Sequence, residues 1–146
     1  MRIILYTQQI TTDSSNYIKT CIEEILKYNS KLFVLEKVYK KIEKYISFPK
    51  QTTVLKKISK TNNIDFLICF GGDGTMLKAA HLIGKLNIPI TGINTGRLGF
   101  LANIPKQNIS DLISDLYNKK FQISARSLIQ VSTKPKLKKK LFQFAL

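Results

Sequence analysis

The sequence predicts an α/β fold, a parallel sheet flanked by helices, and three features of the chain carry that reading. Phe66-Leu-Ile-Cys-Phe is an apolar run with no polar alternation, the pattern of a strand buried on both faces in a parallel sheet. It stops in Gly71-Gly72-Asp73-Gly74, after which Thr75 to Leu86 takes helical spacing. The strand-then-glycine order returns at Ile88-Pro-Ile-Thr-Gly-Ile-Asn-Thr-Gly, and the N-terminal segment itself reads strand, helix, strand.

Arg2 to Thr7 reads as the first strand, and Thr12 to Tyr28 as a helix with Ile18, Ile22, Ile25 and Leu26 on one face. Lys31 to Leu35 is the second strand, parallel to the first if the crossover is right-handed. Between Glu36 and Asn63 the pattern predicts a variable connection. Lys37 to Ile46 is helical there, Ser47-Phe48-Pro49 interrupts, and Thr52 to Lys60 is helical again. Strands at Phe66–Phe70 and Pro89–Ile93 each deliver their C-terminal end to a glycine motif. In open α/β sheets ligands collect at the carboxyl ends of strands, so the two motifs should face one crevice. Asn108 to Asn118 is a short helix packed through Ile109, Leu112, Ile113 and Leu116. After Phe121 the pattern changes. Phe121–Ser124, Leu128–Thr133 and Leu141–Leu146 read as strands around the polar turn Lys134 to Lys140. Residues 1–120 are therefore expected to form a Rossmann-like domain, and 121–146 to begin a β-rich one.

The first glycine turn suits phosphate. Gly71, Gly72 and Gly74 lack the Cβ that would keep a ligand away, so their N–H groups can approach phosphate oxygens. Thr75 stands where the helix is expected to begin, as an N-cap hydroxyl beside unpaired N–H groups. Asp73 is harder to place, because a carboxylate beside phosphates is costly unless it binds a metal or takes a proton. The alternative is a tight strand-to-helix turn in which Asp73 is a local cap.

A chain of 146 residues with 44% hydrophobic content can bury one core of ordinary size. No apolar run approaches the roughly 20 residues that span a bilayer, and the N-terminus is too short for a signal peptide, so a cytoplasmic protein is expected, without a membrane partner. Cys21 and Cys69 lack paired spacing and read as reduced core residues. The net charge of +15 raises nucleic acid as a partner. Against it, the charge is almost all lysine and is spread along the chain, with only Arg2, Arg97 and Arg126 as arginines. A positive field can instead assist capture of anionic nucleotides. No Walker-type loop, zinc-protease motif or nucleophile elbow occurs.

Gly71-Gly72-Asp73-Gly74-Thr75 and Asn94-Thr95-Gly96-Arg97-Leu98-Gly99-Phe100-Leu101 together resemble the two N-terminal signature motifs of the NAD kinases. These enzymes phosphorylate the adenosine ribose of NAD to make NADP. The first motif alone also fits diacylglycerol and sphingosine lipid kinases and resembles the nucleotide loop of phosphofructokinases. The second separates them, since lipid kinases usually carry a Gly-Thr-x-Asn-Asp pattern at that point. The resemblance is strong between Ile64 and Ile104 and weak elsewhere.

It implies ATP as phosphoryl donor, Mg²⁺ held mostly by water and phosphate oxygens, NAD as substrate, and a homo-oligomer. By resemblance Asp73 is the catalytic base for the ribose 2′-hydroxyl, or in a milder version its hydrogen-bond partner. Gly71, Gly72, Gly74 and Thr75 would cradle phosphates, Asn94 would fix the second loop, and Gly96 and Gly99 would bend it. Phe100 and Leu101 would wall the adenine or nicotinamide pocket, with Leu98 in the same binding set; for Phe100 plain core packing is the alternative. Lys78 could touch phosphate or be solvated, His81 should point away from the helix start, and Arg126 resembles an arginine at the family's domain junction. NAD kinases continue into a second, all-β domain whose next motif would fall beyond Leu146. The chain is thus expected to be truncated within that domain and to carry half a site. A lipid kinase and an inactive dinucleotide-binding fragment remain the alternatives.

Overall fold

A computed structural model describes residues 1–96 and 99–127, together with the backbone of 129–130 and 144–145. The strands β1 (Arg2–Thr7), β2 (Lys31–Leu35), β3 (Thr53–Leu55), β4 (Phe66–Phe70), β5 (Ile90–Asn94) and β6 (Ile104–Pro105) form one sheet in the order β3-β2-β1-β4-β5-β6. Every pairing in it is parallel. The central strands are apolar through their middle residues because neither face meets water there. Ile3, Ile4 and Leu5 of β1 and Leu67, Ile68 and Cys69 of β4 are all fully buried.

The helices α1 (Thr12–Lys27), α2 (Glu36–Ile42), α3 (Asp73–Ile83) and α4 (Ile109–Tyr117) cover the sheet. From the centre, β2 extends the sheet one way and β5 the other, so right-handed crossovers put α1 and α3 on opposite faces. Thr11 caps α1 through a reciprocal pair with Ser14, and Ile18, Cys21, Ile22 and Ile25 form its buried stripe. α4 packs against α1, where Tyr117 stacks on Tyr28 with ring centroids 4.0 Å apart. Burial pushes the Cys69 thiol up to about 12 and raises that of Cys21 as well, which leaves both as inert core groups. No helix among the described residues is long and apolar enough to cross a membrane.

Four local expectations change. Thr52–Lys60 is not a helix. Thr53–Leu55 pairs with β2 as the sheet edge, and a 3₁₀ turn follows at Lys60–Asn62. The Val54, Leu55 and Ile58 spacing imitates a helical stripe, but the open edge of β2 offers this segment backbone partners. The helix expected over Lys37–Ile46 ends at Ile42. The helix expected from Thr75 starts two residues earlier at Asp73, with Gly72 as N-cap and no side-chain capping bond. It ends at Ile83 because Gly84 adopts φ +55°, and Gly84–Leu86 continues as a 3₁₀ turn. Phe121–Ser124 is not a strand; the Phe121 ring instead packs edge-on against Phe66 at 5.2 Å. Further on, β7 (Ile129–Gln130) and β8 (Phe144–Ala145) form a short antiparallel ladder, and the rest of the expected hairpin lies outside the described residues.

Candidate active site

The strand order reverses between β1 and β4, and a crevice of about 610 Å³ opens there at the carboxyl ends of the strands. Each central strand contributes the residues that follow it. Gln8 and Gln9 come after β1, Gly71, Gly72 and Gly74 after β4, and Thr95 and Gly96 after β5, with Thr75 and Lys78 from α3 completing one wall. The floor is stitched by the buried Thr7, whose hydroxyl lies 2.6 Å from the Gln9 carbonyl oxygen and 3.0 Å from that of Phe70. The Gly71 N–H donates to the Ile93 carbonyl at 3.0 Å, which ties the glycine turn to β5.

Gly71 has φ +146°, a conformation closed to most L residues, and a Cβ there would sit 2.9 Å from the Thr75 Cβ. Thr75 is therefore the third residue of α3, folded back over Gly71, and does not cap the helix. Its N–H donates to the Gly72 carbonyl at 2.9 Å.

Asp73 neither caps its own helix nor stands free. One carboxylate oxygen accepts the N–H groups of Leu101 at 2.9 Å and Ala102 at 3.1 Å, and the other accepts that of Phe100 at 2.9 Å. These bonds from Ala102, Leu101 and Phe100 hold the Asp73 carboxyl below its ordinary value, so it is charged at neutral pH. Gly99 is required where the second loop passes, because a Cβ there would overlap the Asp73 carboxylate. Asn94 secures the same loop from β5. It is 5% exposed, donates its amide to the Ala102 carbonyl at 3.0 Å, and accepts the Gly96 N–H at 2.8 Å.

The structure thus joins the two glycine motifs through Asp73 and Asn94. Gly71, Gly72, Gly74, Thr75 and Gly96 line the crevice, whereas Asn94, Gly99, Phe100 and Leu101 stand behind or beside it. Phe100 is not core: its side chain is 97% exposed, held outward by its backbone bond to Asp73. Leu98 and Arg97 lie outside the described residues. His81 is exposed, away from the crevice. Sequence reasoning missed the β1 side of the site, namely Gln8, Gln9, Thr11 and Ser14. The available signal was positional: these residues follow a central strand, and no motif marks them.

Among the described residues no group of His, Cys, Asp or Glu is clustered to hold a metal, and the crevice lining contains no carboxylate. With three of the roughly four acceptor directions of Asp73 already used, these side chains do not fit a protein-held Mg²⁺ site.

A sheet in this order, whose glycine turns open on one crevice at the switch point, defines an open α/β domain of the Rossmann-like class, with its ligand position at that crevice. Residues 5–121 match the model of the ATP-NAD kinase N-terminal domain, and the chain belongs to that family. It is similar to the NAD kinase of Christiangramia forsetii, with 36% identity over 137 residues that cover 93% of this chain and 47% of the relative. A second relative, the NAD kinase of Porphyromonas gingivalis, is 34% identical over 132 residues, which cover 90% of this chain and 45% of that one. The chain therefore spans about half the length of these curated relatives. In fold it resembles yeast NADH kinase, solved in complex with NADH, with a TM-score of 0.69 and 16% identity over 93% of this chain and 45% of that one.

Proposed function

We propose that this chain supplies the N-terminal part of the site of an ATP-dependent NAD kinase, which transfers the terminal phosphoryl group of ATP to the adenosine ribose 2′-hydroxyl of NAD and yields NADP. The observation that carries this reading is Asp73, a charged carboxylate between the crevice-lining Gly72 and Gly74, anchored to the second motif. The names of the relatives support the same substrate class.

In this reading the N–H groups of Gly72 and Gly74 and the hydroxyl of Thr75 receive phosphate oxygens, which positions the donor and spreads its charge, while the N–H groups of Gly71 and Thr75 hold the turn itself. The ribose hydroxyl donates to the acceptor direction that the loop leaves open on Asp73. As the new O–P bond forms, the hydroxyl becomes acidic and its proton passes to the Asp73 carboxylate, while the bond from the transferred phosphorus to ADP breaks. A low carboxyl pKa makes Asp73 a weak base in the ground state, so proton transfer belongs late in the reaction. Mg²⁺ brought with ATP would be held by phosphate oxygens and water, with no ligand required from these side chains, and would supply charge neutralisation. Leu98, Phe100 and Leu101 belong to the dinucleotide side, where the outward Phe100 ring is available to stack on a base. We place the enzyme in the cytoplasm, as a homo-oligomer whose second half of the site lies in an all-β domain.

The test is NADP formation from NAD, ATP and Mg²⁺ by this chain extended with the C-terminal half of a curated NAD kinase relative, beside a parallel assay on diacylglycerol. NADP formed without lipid phosphorylation is expected. Phosphorylation of the lipid alone would overturn the reading.

A further inference from the structure

Three elements meet on Gln8, the first residue after β1. Its main-chain carbonyl oxygen accepts the Lys41 ammonium, from α2, at 2.6 Å, and its side-chain oxygen accepts the Lys78 ammonium, from α3. Its side-chain NH₂ donates to the Gly74 carbonyl at 2.9 Å, inside the glycine turn. Lys78 and Gln8 line the crevice together with Gly71, Gly72, Gly74 and Thr75, and Lys41 stands just outside that lining.

We propose that Gln8, Lys41 and Lys78 form a receiving rim for the oligophosphate of the phosphoryl donor, in which the Gln8 side-chain oxygen holds the Lys78 ammonium and the Gln8 main-chain carbonyl holds the Lys41 ammonium until phosphate oxygens take them over. The proposal rests on the reading of this crevice as a phosphoryl-transfer site. Both Gln8 oxygens are neutral acceptors that orient a cation without adding charge, and among the described residues no carboxylate lines the crevice. An ammonium–phosphate bond joins two opposite charges, whereas the ammonium–Gln8 bonds have only one charged partner, so an entering anion displaces Gln8 with a net gain.

The geometry also orders the contacts. Lys78 is one turn into α3, beside the glycine turn, and meets the innermost phosphates. Lys41 reaches the outer part of the chain of phosphates. Gln8 ties this rim to the Gly74 carbonyl, so ligand entry is sensed at the turn that carries Asp73. The shared chemistry is a linear oligophosphate, whether part of a nucleoside triphosphate or inorganic.

The test is calorimetric binding of ATP and of inorganic tripolyphosphate, each to this chain, at low and high salt. Wild type is compared with Lys78→Gln, Lys41→Gln, Gln8→Glu and the conservative Lys78→Arg, each checked for an unchanged melting temperature. Binding should weaken roughly fivefold or more in Lys78→Gln, less in Lys41→Gln, and most in Gln8→Glu, whose carboxylate competes with phosphate for the Lys78 ammonium and adds a repelling negative charge to the rim. Lys78→Arg should retain binding, and wild-type affinity should fall with salt. Binding of both anions, or of ATP alone, with this pattern supports the rim; tripolyphosphate alone supports it and identifies the inorganic donor. Absence of binding by the wild type, or equal binding by all four variants, overturns it. Because no dinucleotide is present, a functional rim with no NADP formation refutes the kinase reading alone, and NADP formation with indifferent variants refutes the rim alone.

Discussion

Asp73 carries more at the residue scale than its motif suggests. The two motifs are adjacent in sequence only loosely, and spacing cannot reveal that the carboxylate of the first accepts the N–H groups of Phe100, Leu101 and Ala102 in the second. The residue was legible as chemically special because it is the only acid between Asp65 and Asp111; its partners were not, because they depend on tertiary folding. The bonds also set a pH expectation. A carboxyl whose folded pKa is depressed contributes stability that is fully present above its unfolded pKa, about 3.9, and is lost as pH falls through the lower folded value. The protection of the Phe100, Leu101 and Ala102 amides, taken relative to the unstructured exchange rate at each pH, should therefore hold through neutral and mildly acidic pH and fall only below the ordinary aspartate range. Loss of protection with a midpoint at or above that range would show that the anchoring bonds are absent. Gly71 is the second residue with a sharp expectation. At φ +146° and against Thr75, Gly71→Ala should cost about 1–3 kcal/mol in urea unfolding, and an unchanged midpoint would mean that the turn has another shape.

Periodicity served the elements well where each is long or fully buried, and poorly at the sheet margin. β1, β2 and β4 read directly from unbroken apolar runs, because both of their faces are covered. β3 did not, because a three-residue edge strand with Val54 44% exposed has too little apolar pattern to outweigh a chance helical spacing. The start of α3 was misplaced because a backbone N-cap at Gly72 leaves no side-chain signature in the sequence. α4 gives an element-level test of the core that holds the sheet in register. Ile113 is fully buried on the face that meets α1, so Ile113→Ala should lower stability by about 2–5 kcal/mol. Asp111→Ala, on the exposed side of the same helix, should change it by less than about 0.5 kcal/mol. Similar effects from both would place α4 elsewhere.

For the whole molecule, sheet order turns separate motifs into one site. The order β3-β2-β1-β4-β5-β6 brings the ends of β1, β4 and β5 side by side, and the crevice lies where they meet. This arrangement was predictable from the strand, helix, strand order, whereas the contribution of the β1 loop followed only once β1 was seen to neighbour β4. The net charge of +15 suits anionic ligands, and two of the lysines converge on Gln8 at the crevice. The chain spans about half the length of the curated relatives it matches. The central claim is that Asp73 both anchors the second loop and accepts the ribose proton. The most direct measurement is the rate of NADP formation by the extended protein carrying Asp73→Asn, with amide exchange at Phe100 to Ala102 recorded on the same sample. An amide side chain cannot take the proton, and its NH₂ must face a backbone donor, so a rate loss of at least about 100-fold with faster exchange is expected. A variant that forms NADP within a few-fold of wild type would contradict the account.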